Sequence, residues 1–435
     1  MKHALSPRQV HLDFHTSPLM EGIGSQFSHE NFQEALKFGH LTSITVFAKC
    51  HHGMCYYPTK IGTMHPHLDF DLLGEMLDAA HEIGVKAPIY ITAGWSALDA
   101  EQHPEWRARR KDGSYSVVNI DPNAAPDDPR PECSWADLCL NDGSYAAHIY
   151  ALTREICDRY AHIDGLFYDI VFNYHACWCD ECRAGMRAMG LDPEKDGDAR
   201  LYYVRKHQGF TRKCGGILHE KHPDASIYFN SGGADQYQPE FHGASTHFEL
   251  EDLPTAWGGY NKMPPRARYF ANTGKDYLGM TGKFHLDWGE IGGFKLPEAL
   301  RYEAAAMMAY GARCSIGDHL HPSGRMEVET YRNIGYAYEY AEQIEPYCFG
   351  GKPAARLGLY LSGDARSDDG ATNMLLEAQR DFGIVYENSF EPFDTVIFPD
   401  CAVPDEEGVK ALQAFLARGG RVLFTGRSLV KDGAF

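Results

Sequence analysis

Short apolar runs alternate with longer amphipathic stretches along most of this chain. VHLDFH (10–15), SITVFAKC (43–50), KAPIYITA (86–93), GLFYDIVF (165–172), SIYFN (226–230), THFELE (246–251), GKFHLDW (282–288) and ARCSIGD (312–318) read as strands. Between them, FDLLGEMLDAAHEIG sets Leu72, Leu73, Met76, Leu77 and Ala80 on one helical face and stops at Gly84. LPEALRYEAAAMMAYG opens with proline in a first-turn position and closes on Gly311. Eight strands separated in this way predict an α/β fold, a (β/α)8 TIM barrel enlarged by loops. A doubly wound sheet would put a glycine-rich phosphate turn after its first strand, and HTSPLMEGIGSQ is not one.

PYCFGGKPA then reads as a linker, and RLGLYLS, GIVYE, FDTVIFPD and GGRVLFTG resemble parallel strands beyond it, with DEEGVKALQAFLARG helical between the last two. The expected organisation is a barrel over 1–345, a linker over 346–354 and a small α/β unit over 355–435. That unit stops with its last strand barely finished, so a longer parent protein is expected.

A net charge of −19 over 435 residues argues against nucleic acid and anionic membranes as partners. No apolar run approaches the ~20 residues of a membrane span, and MKHALSPRQVHLDFH has no signal-like apolar core. The twelve cysteines are spread thinly enough to read as mostly reduced thiols in a cytoplasmic protein.

Polar residues recur at two-residue spacing near the ends of these strands, where a purely structural core would use Val, Ile or Leu. His11, Asp13 and His15 lie on the first, and Lys49, His51 and His52 end the second. Asp169 ends the fourth and leads to Asn173. Glu249 and Glu251 lie on the sixth, followed by Trp257. His285, Asp287 and Trp288 fall on the seventh, and Asp318 ends the eighth. Singly, each is explained by a salt bridge or a cap. Together, carboxylates, imidazoles and indoles converging on one barrel mouth suit a sugar site, in which carboxylates bind hydroxyls and move protons while aromatic faces stack on rings. Glycoside hydrolysis needs one ionised and one protonated carboxyl. Asp169 is the expected ionised partner; Glu251 or Glu249 is the expected proton donor, with Asp287 as a third option.

Directly after the fourth strand, Cys177, Cys179 and Cys182 form C-x-C-x-x-C. With a fourth ligand they would suit a closed, structural zinc site, which leaves no position for substrate. Cys139, Cys133 and His175 all compete for that fourth place.

The stretches YAHIDGLFYDIVFNYHACWCDEC, HFELEDLPTAWGGY, GMTGKFHLDWGEIGGFK and SIGDHLHPSG resemble the glycosyl-hydrolase-like group that includes glycoside hydrolase family 151, which holds α-L-fucosidases. More distantly, KCHHGM (Lys49 to Met54) is similar to the KHHDGF-type motif of retaining α-L-fucosidases. His51 matches the second family histidine, while Cys50 stands where the first would be. That resemblance implies a sugar-binding role for His15 and a nucleophilic role for Asp169. The cysteine cluster resembles that of zinc-containing β-galactosidases on the same barrel, which implies Cys139 as the fourth thiolate. The C-terminal unit resembles their flavodoxin-like trimerisation domain, which implies a homo-oligomer, in the first place a trimer. Those enzymes carry Asn-Glu where this chain has Tyr168–Asp169.

The resulting expectation is a retaining exo-glycosidase that releases terminal α-L-fucose from an oligosaccharide or glycoconjugate, with no catalytic cofactor. A β-galactosidase-like or other hexosidase is the alternative within the class. An inactive barrel that binds carbohydrate is the alternative outside it.

Overall fold

The computed structural model describes residues 3–116, 135–141, 143–171, 176–351 and 353–430. Eight parallel strands make the main sheet: β1 (Arg8–Asp13), β2 (Ser43–Lys49), β3 (Ile89–Thr92), β4 (Gly165–Asp169), β5 (Ser226–Phe229), β6 (Phe248–Glu251), β7 (Tyr277–Gly282) and β8 (Arg313–His319). They run in the order β5-β4-β3-β2-β1-β8-β7-β6, a barrel nearly closed on itself. Between β5 and β6 no strand ladder forms among the described residues. That seam is bridged by single contacts such as Thr246 N–H to Ile227 O and Ala234 N–H to Glu249 O.

Helices α1 (His29–Phe38), α2 (Leu72–Glu82), α3 (Ser144–Arg159), α4 (Asp180–Ala188), α5 (Asp196–Lys221), α6 (Met263–Phe270), α7 (Pro297–Ala309) and α8 (Val328–Cys348) surround the sheet. The predicted face of α2 is buried as expected, with Leu72, Leu73, Met76, Leu77 and Ala80 all inside. Between β5 and β6 the described chain has only a 3-10 turn, Pro239–Phe241, so the seam lacks the helix that would cover it.

Strand alternation sorts the side chains into two layers. Val10 and Leu12 face the helices, while His11 packs edge-on against Phe47, Phe167 and Trp288 inside the barrel. Phe47, Tyr90, Phe167 and Tyr228 are register partners on four successive strands. Phe47 and Tyr90 stack at 3.7 Å, Tyr90 and Phe167 at 5.6 Å. These rings fill the interior and form a floor beneath the C-terminal strand ends.

Two sequence expectations need correction. The seventh strand is Tyr277–Gly282, not 282–288. YLGMTG holds two glycines and scores poorly as a strand, yet a Cβ on Gly279 would lie 2.6 Å from Met307 Cγ, so helix packing requires the glycine. His285, Asp287 and Trp288 therefore lie on the following loop. The expected linker also begins in regular structure, since α8 runs through Cys348 with Pro346 inside its last stretch.

A second, four-stranded parallel sheet follows: β9 (Leu357–Leu359), β10 (Gly383–Ile384), β11 (Thr395–Phe398) and β12 (Arg421–Phe424), ordered β10-β9-β11-β12. This is the order with which a flavodoxin-like sheet begins. It carries α9 (Ala365–Glu377), missing from the sequence reading, and α10 (Glu406–Ala417). Asp364 and Asp405 cap these helices by accepting the Ser367 and Gly408 N–H groups. Arg268 of α6 donates to Phe382 O at 2.6 Å and ties the two sheets together. Among the described residues no helix is long and apolar enough to cross a membrane.

Lys49, at the end of β2, is fully buried and paired with Asp99 at 2.6 Å. Removing one partner of a buried pair strands the other charge in a low-dielectric interior. Asp99→Ala should cost about 3–5 kcal/mol of unfolding free energy. The double replacement Lys49→Met with Asp99→Leu should recover most of that loss in the same denaturant titration.

Candidate active site

Asp169 emerges from a strand buried along its whole length and is itself 9 % exposed. Its carboxylate would be costly there without donors. Tyr90 O–H donates to Oδ2 at 2.6 Å and Asn230 Nδ2 donates to Oδ1 at 2.8 Å. Burial raises the Asp169 pKa, while these two donors and the nearby histidines pull it back.

The backbone around it is under strain. Ile170 has φ of +52°, in the left-handed region that β-branched residues avoid. The Asp169 carbonyl accepts the Ala93 N–H at 2.9 Å, and the Ile170 carbonyl crosses Gly94 so closely that a Cβ there would lie 1.9 Å from it. Glycine after β3 and a strained residue after β4 together let the two strand ends meet.

Glu251, the last residue of β6, faces the same space. Asn230 Nδ2 lies 3.4 Å from Glu251 Oε2 as well as 2.8 Å from Asp169 Oδ1, so one amide serves both carboxyl groups. Trp288 Nε1 donates to Glu251 Oε1 at 2.7 Å. Burial lifts the Glu251 pKa to about 7; the Trp288 indole works against that shift and the Asp169 charge adds to it. The two carboxyl groups are thus held in different ways, one by two short donors and the other by burial.

Histidines line the facing wall. Thr92 spends its hydroxyl proton on Trp95 O, so its oxygen accepts from His51 Nδ1 at 2.7 Å. The His51 ring is neutral, its pKa pushed well down chiefly by burial, and its Nε2 is left as an acceptor 3.5 Å from Asp169 Oδ2. His15 stacks on His51 at 4.1 Å, accepts the His51 backbone N–H through Nδ1, and points Nε2 at Asp13 Oδ1, 3.0 Å away. His52 packs on Trp135 at 4.9 Å, and burial lowers its pKa to about 4.

The contacts join Asp169, Glu251, His11, Asp13, His15, His51 and Trp288 into one network, with His52 on its rim. Glu249 lies one step deeper on β6 and pairs with His247 at 3.0 Å. Asp318 pairs with Lys283 at 2.8 Å. Trp257, His285 and Asp287 lie on exposed loops. The Lys262 ammonium sits over the Trp257 ring, His285 bonds Phe294 O, and Asp287 accepts the Gly289 N–H. Asn173 lies outside the described residues.

Sequence reasoning missed Tyr90, Asn230, Trp95 and Trp135. Tyr90 hides inside an apolar strand. Asn230 closes the SIYFN run, one step past β5, and nothing along the chain marks it as a partner of Asp169. Trp95 and Trp135 follow no periodic pattern; their rings come together from two loops, 6.4 Å apart and almost parallel.

Away from the carboxylates, Cys139, Cys177, Cys179 and Cys182 bring their sulfurs within 4.8 Å of one another, all buried. Cys139 and Cys182 sulfurs are 3.4 Å apart, Cys139 and Cys179 sulfurs 3.8 Å. Four thiolates around a tetrahedral metal would be separated by about 3.8 Å, given metal–sulfur bonds near 2.3 Å. Asn141 Nδ2 and the Arg109 and Cys179 N–H groups donate to the sulfurs, as outer partners of a metal site do. The donor set therefore fits a closed metal centre. Cys133 and His175, the other candidates for the fourth ligand, lie outside the described residues.

Residues 28–170 match the family model described as "Hypothetical glycosyl hydrolase 6". Alpha-L-fucosidase isoenzyme 2 from Paenibacillus thiaminolyticus is 40% identical, with a TM-score of 0.90 over 98% of this chain. This chain spans 64% of that protein's length. The β-galactosidases from Rahnella sp. R3 and Bacillus circulans sp. alkalophilus are each 13% identical, with TM-scores of 0.71 and 0.72. They cover 96% and 97% of this chain, and this chain covers 71% of each; at that identity they share the fold alone. No curated protein matches the chain.

The raised Glu251 pKa has a consequence for the stability of the barrel. An unfolded glutamate titrates near 4.3, the folded one at about 7. Between those values the native state holds a proton that the unfolded state has lost, so stability falls as pH rises through that window. Glu251→Gln should therefore be more stable than the parent protein above pH 7, by about 2–4 kcal/mol, with the difference vanishing below pH ~4. Denaturant titrations at pH 4 and pH 8 would show it.

Proposed function

We propose that this protein is a retaining exo-glycosidase acting on terminal α-L-fucose. The observation that carries the reading is the single Asn230 amide between Asp169 and Glu251. Its contacts of 2.8 Å and 3.4 Å hold the two bonded carboxyl oxygens less than about 6.5 Å apart, short of the ~6.5–9.5 Å spacing of inverting enzymes.

In this mechanism an Asp169 oxygen attacks the anomeric carbon as the bond to the leaving oxygen breaks, and Glu251 gives its proton to that oxygen. Glu251 then takes a proton from water, and the water oxygen displaces Asp169 from the sugar. Two donors favour the ionised form of Asp169 against its burial, and a pKa of about 7 keeps Glu251 protonated in mildly acidic solution. His51 Nε2 is an acceptor suited to a sugar hydroxyl. His11, Asp13, His15 and His52 extend that polar wall, and Trp95, Trp135 and Trp288 offer ring faces. The 40%-identical α-L-fucosidase supports fucose as the sugar.

Hydrolysis of an aryl α-L-fucoside, run beside the β-D-galactoside, tests the reading. Turnover of the fucoside is expected. Asp169→Gly should lose activity on the order of 10³-fold or more, with azide restoring it. Turnover of neither glycoside would sink the assignment.

Cys139, Cys177, Cys179 and Cys182 would hold zinc, which in a four-thiolate site supplies structure and no open coordination position. Trp178 N–H donates to Arg109 O beside these thiols, so the metal would pin the segments around 109 and 178 to each other. Metal analysis should find one zinc per chain, and chelation should lower the melting temperature. A Cys179→Ser variant that retains full zinc content and stability would contradict this.

A further inference from the structure

A cavity of about 660 Å³ lies over the open seam between β5 and β6. Its inner wall is the segment Ser231–Ala234, directly after Asn230. Gly233 N–H donates to Asn230 Oδ1 at 2.8 Å, and Arg266 donates to both Glu251 O and Ala234 O. The cavity and the paired carboxylates thus share one stretch of backbone. Both bordering loops, around 231–238 and 258–262, leave the C-terminal ends of their strands, the end at which Asp169 and Glu251 sit.

Its outer wall comes from the second sheet, where α9 supplies Asp369 and Asn373. Tyr237 O–H donates to Asp368 Oδ2 at 2.9 Å and fastens that helix to the 231–238 loop. Its lining carries Asp235 and Asp369 with Lys262, Arg200 and Arg266, among amides and the Phe241 ring; Arg200 is paired with Glu240. His207 is 4 % exposed, and its Nδ1 has no hydrogen-bond partner among the described residues. Charges of both signs, amide donors and acceptors, and an aromatic face suit a neutral, hydroxyl-rich ligand. The volume falls in the ordinary range of small-ligand pockets, about 300–1,000 Å³.

We propose that this seam cavity is the leaving-group subsite: it takes the neutral saccharide from which the terminal sugar is cut, and α9 of the second sheet makes it selective. The proposal rests on the glycosidase reading above.

The test compares the parent protein with Asp369→Ala/Asn373→Ala on two substrates, an aryl α-L-fucoside and a trisaccharide ending in α-L-fucose. The substituted positions are exposed or half-buried on α9, and matching melting temperatures would show intact folding; each single substitution serves if the double one is unstable. Expected is a fall of about tenfold in kcat/KM for the trisaccharide, mostly through KM, with the aryl fucoside unchanged. Equal kinetics of variant and parent on the trisaccharide, or equal losses on both substrates, would overturn the subsite. If the parent hydrolyses neither, the glycosidase reading fails by itself. Calorimetric titration of the trisaccharide into Asp169→Asn, with and without the α9 substitutions, then decides the cavity. Weaker binding in the α9 variant supports it; equal binding, or none, overturns it.

Discussion

A carboxylate at the end of a buried strand has to be compensated, and much of this barrel is arranged around that need. Asp169 is held by a phenol from β3 and an amide from the residue after β5, its two neighbours in the sheet. For those donors to reach it, three strands must end at the same height. Ile170 accepts a left-handed backbone and position 94 does without a side chain for that reason. Strain of this kind costs on the order of 1–3 kcal/mol and persists only where the surroundings over-determine it.

The same arrangement separates two chemically similar groups. Asp169 and Glu251 face one space and share a donor, yet only Asp169 has a second short bond from a hydroxyl. Glu251 has an indole and little else against its burial, and its proton is correspondingly harder to remove. Environment, with no change of residue chemistry, gives the two carboxyls different surroundings, as the proposed division between nucleophile and proton donor requires. The stacked rings beneath fill the barrel interior.

Most of the barrel was legible in the sequence because parallel strands buried on both faces read as short apolar runs, and seven of the eight fall where those runs are. The eighth failed for a local reason: β7 is built around glycines that only the packing of α7 explains. Its misplacement carried His285 and Asp287 onto a strand, whereas they lie on an exposed loop. Trp288 reached the site all the same, because the loop folds back over Glu251.

What the chain alone determined is the inventory: an acidic residue ending β4, two more on β6, imidazoles after β1 and β2, and thiols at ligand spacing. Residue type and strand alternation suffice for that, since both are local. The tertiary structure decided the partnerships. Glu251 and not Glu249 shares an amide with Asp169, Cys139 closes the thiol cluster across more than thirty-five residues of chain, and the seam between β5 and β6 stays open for want of a helix. Those outcomes depend on distances between segments remote in sequence, which no periodicity along the chain records.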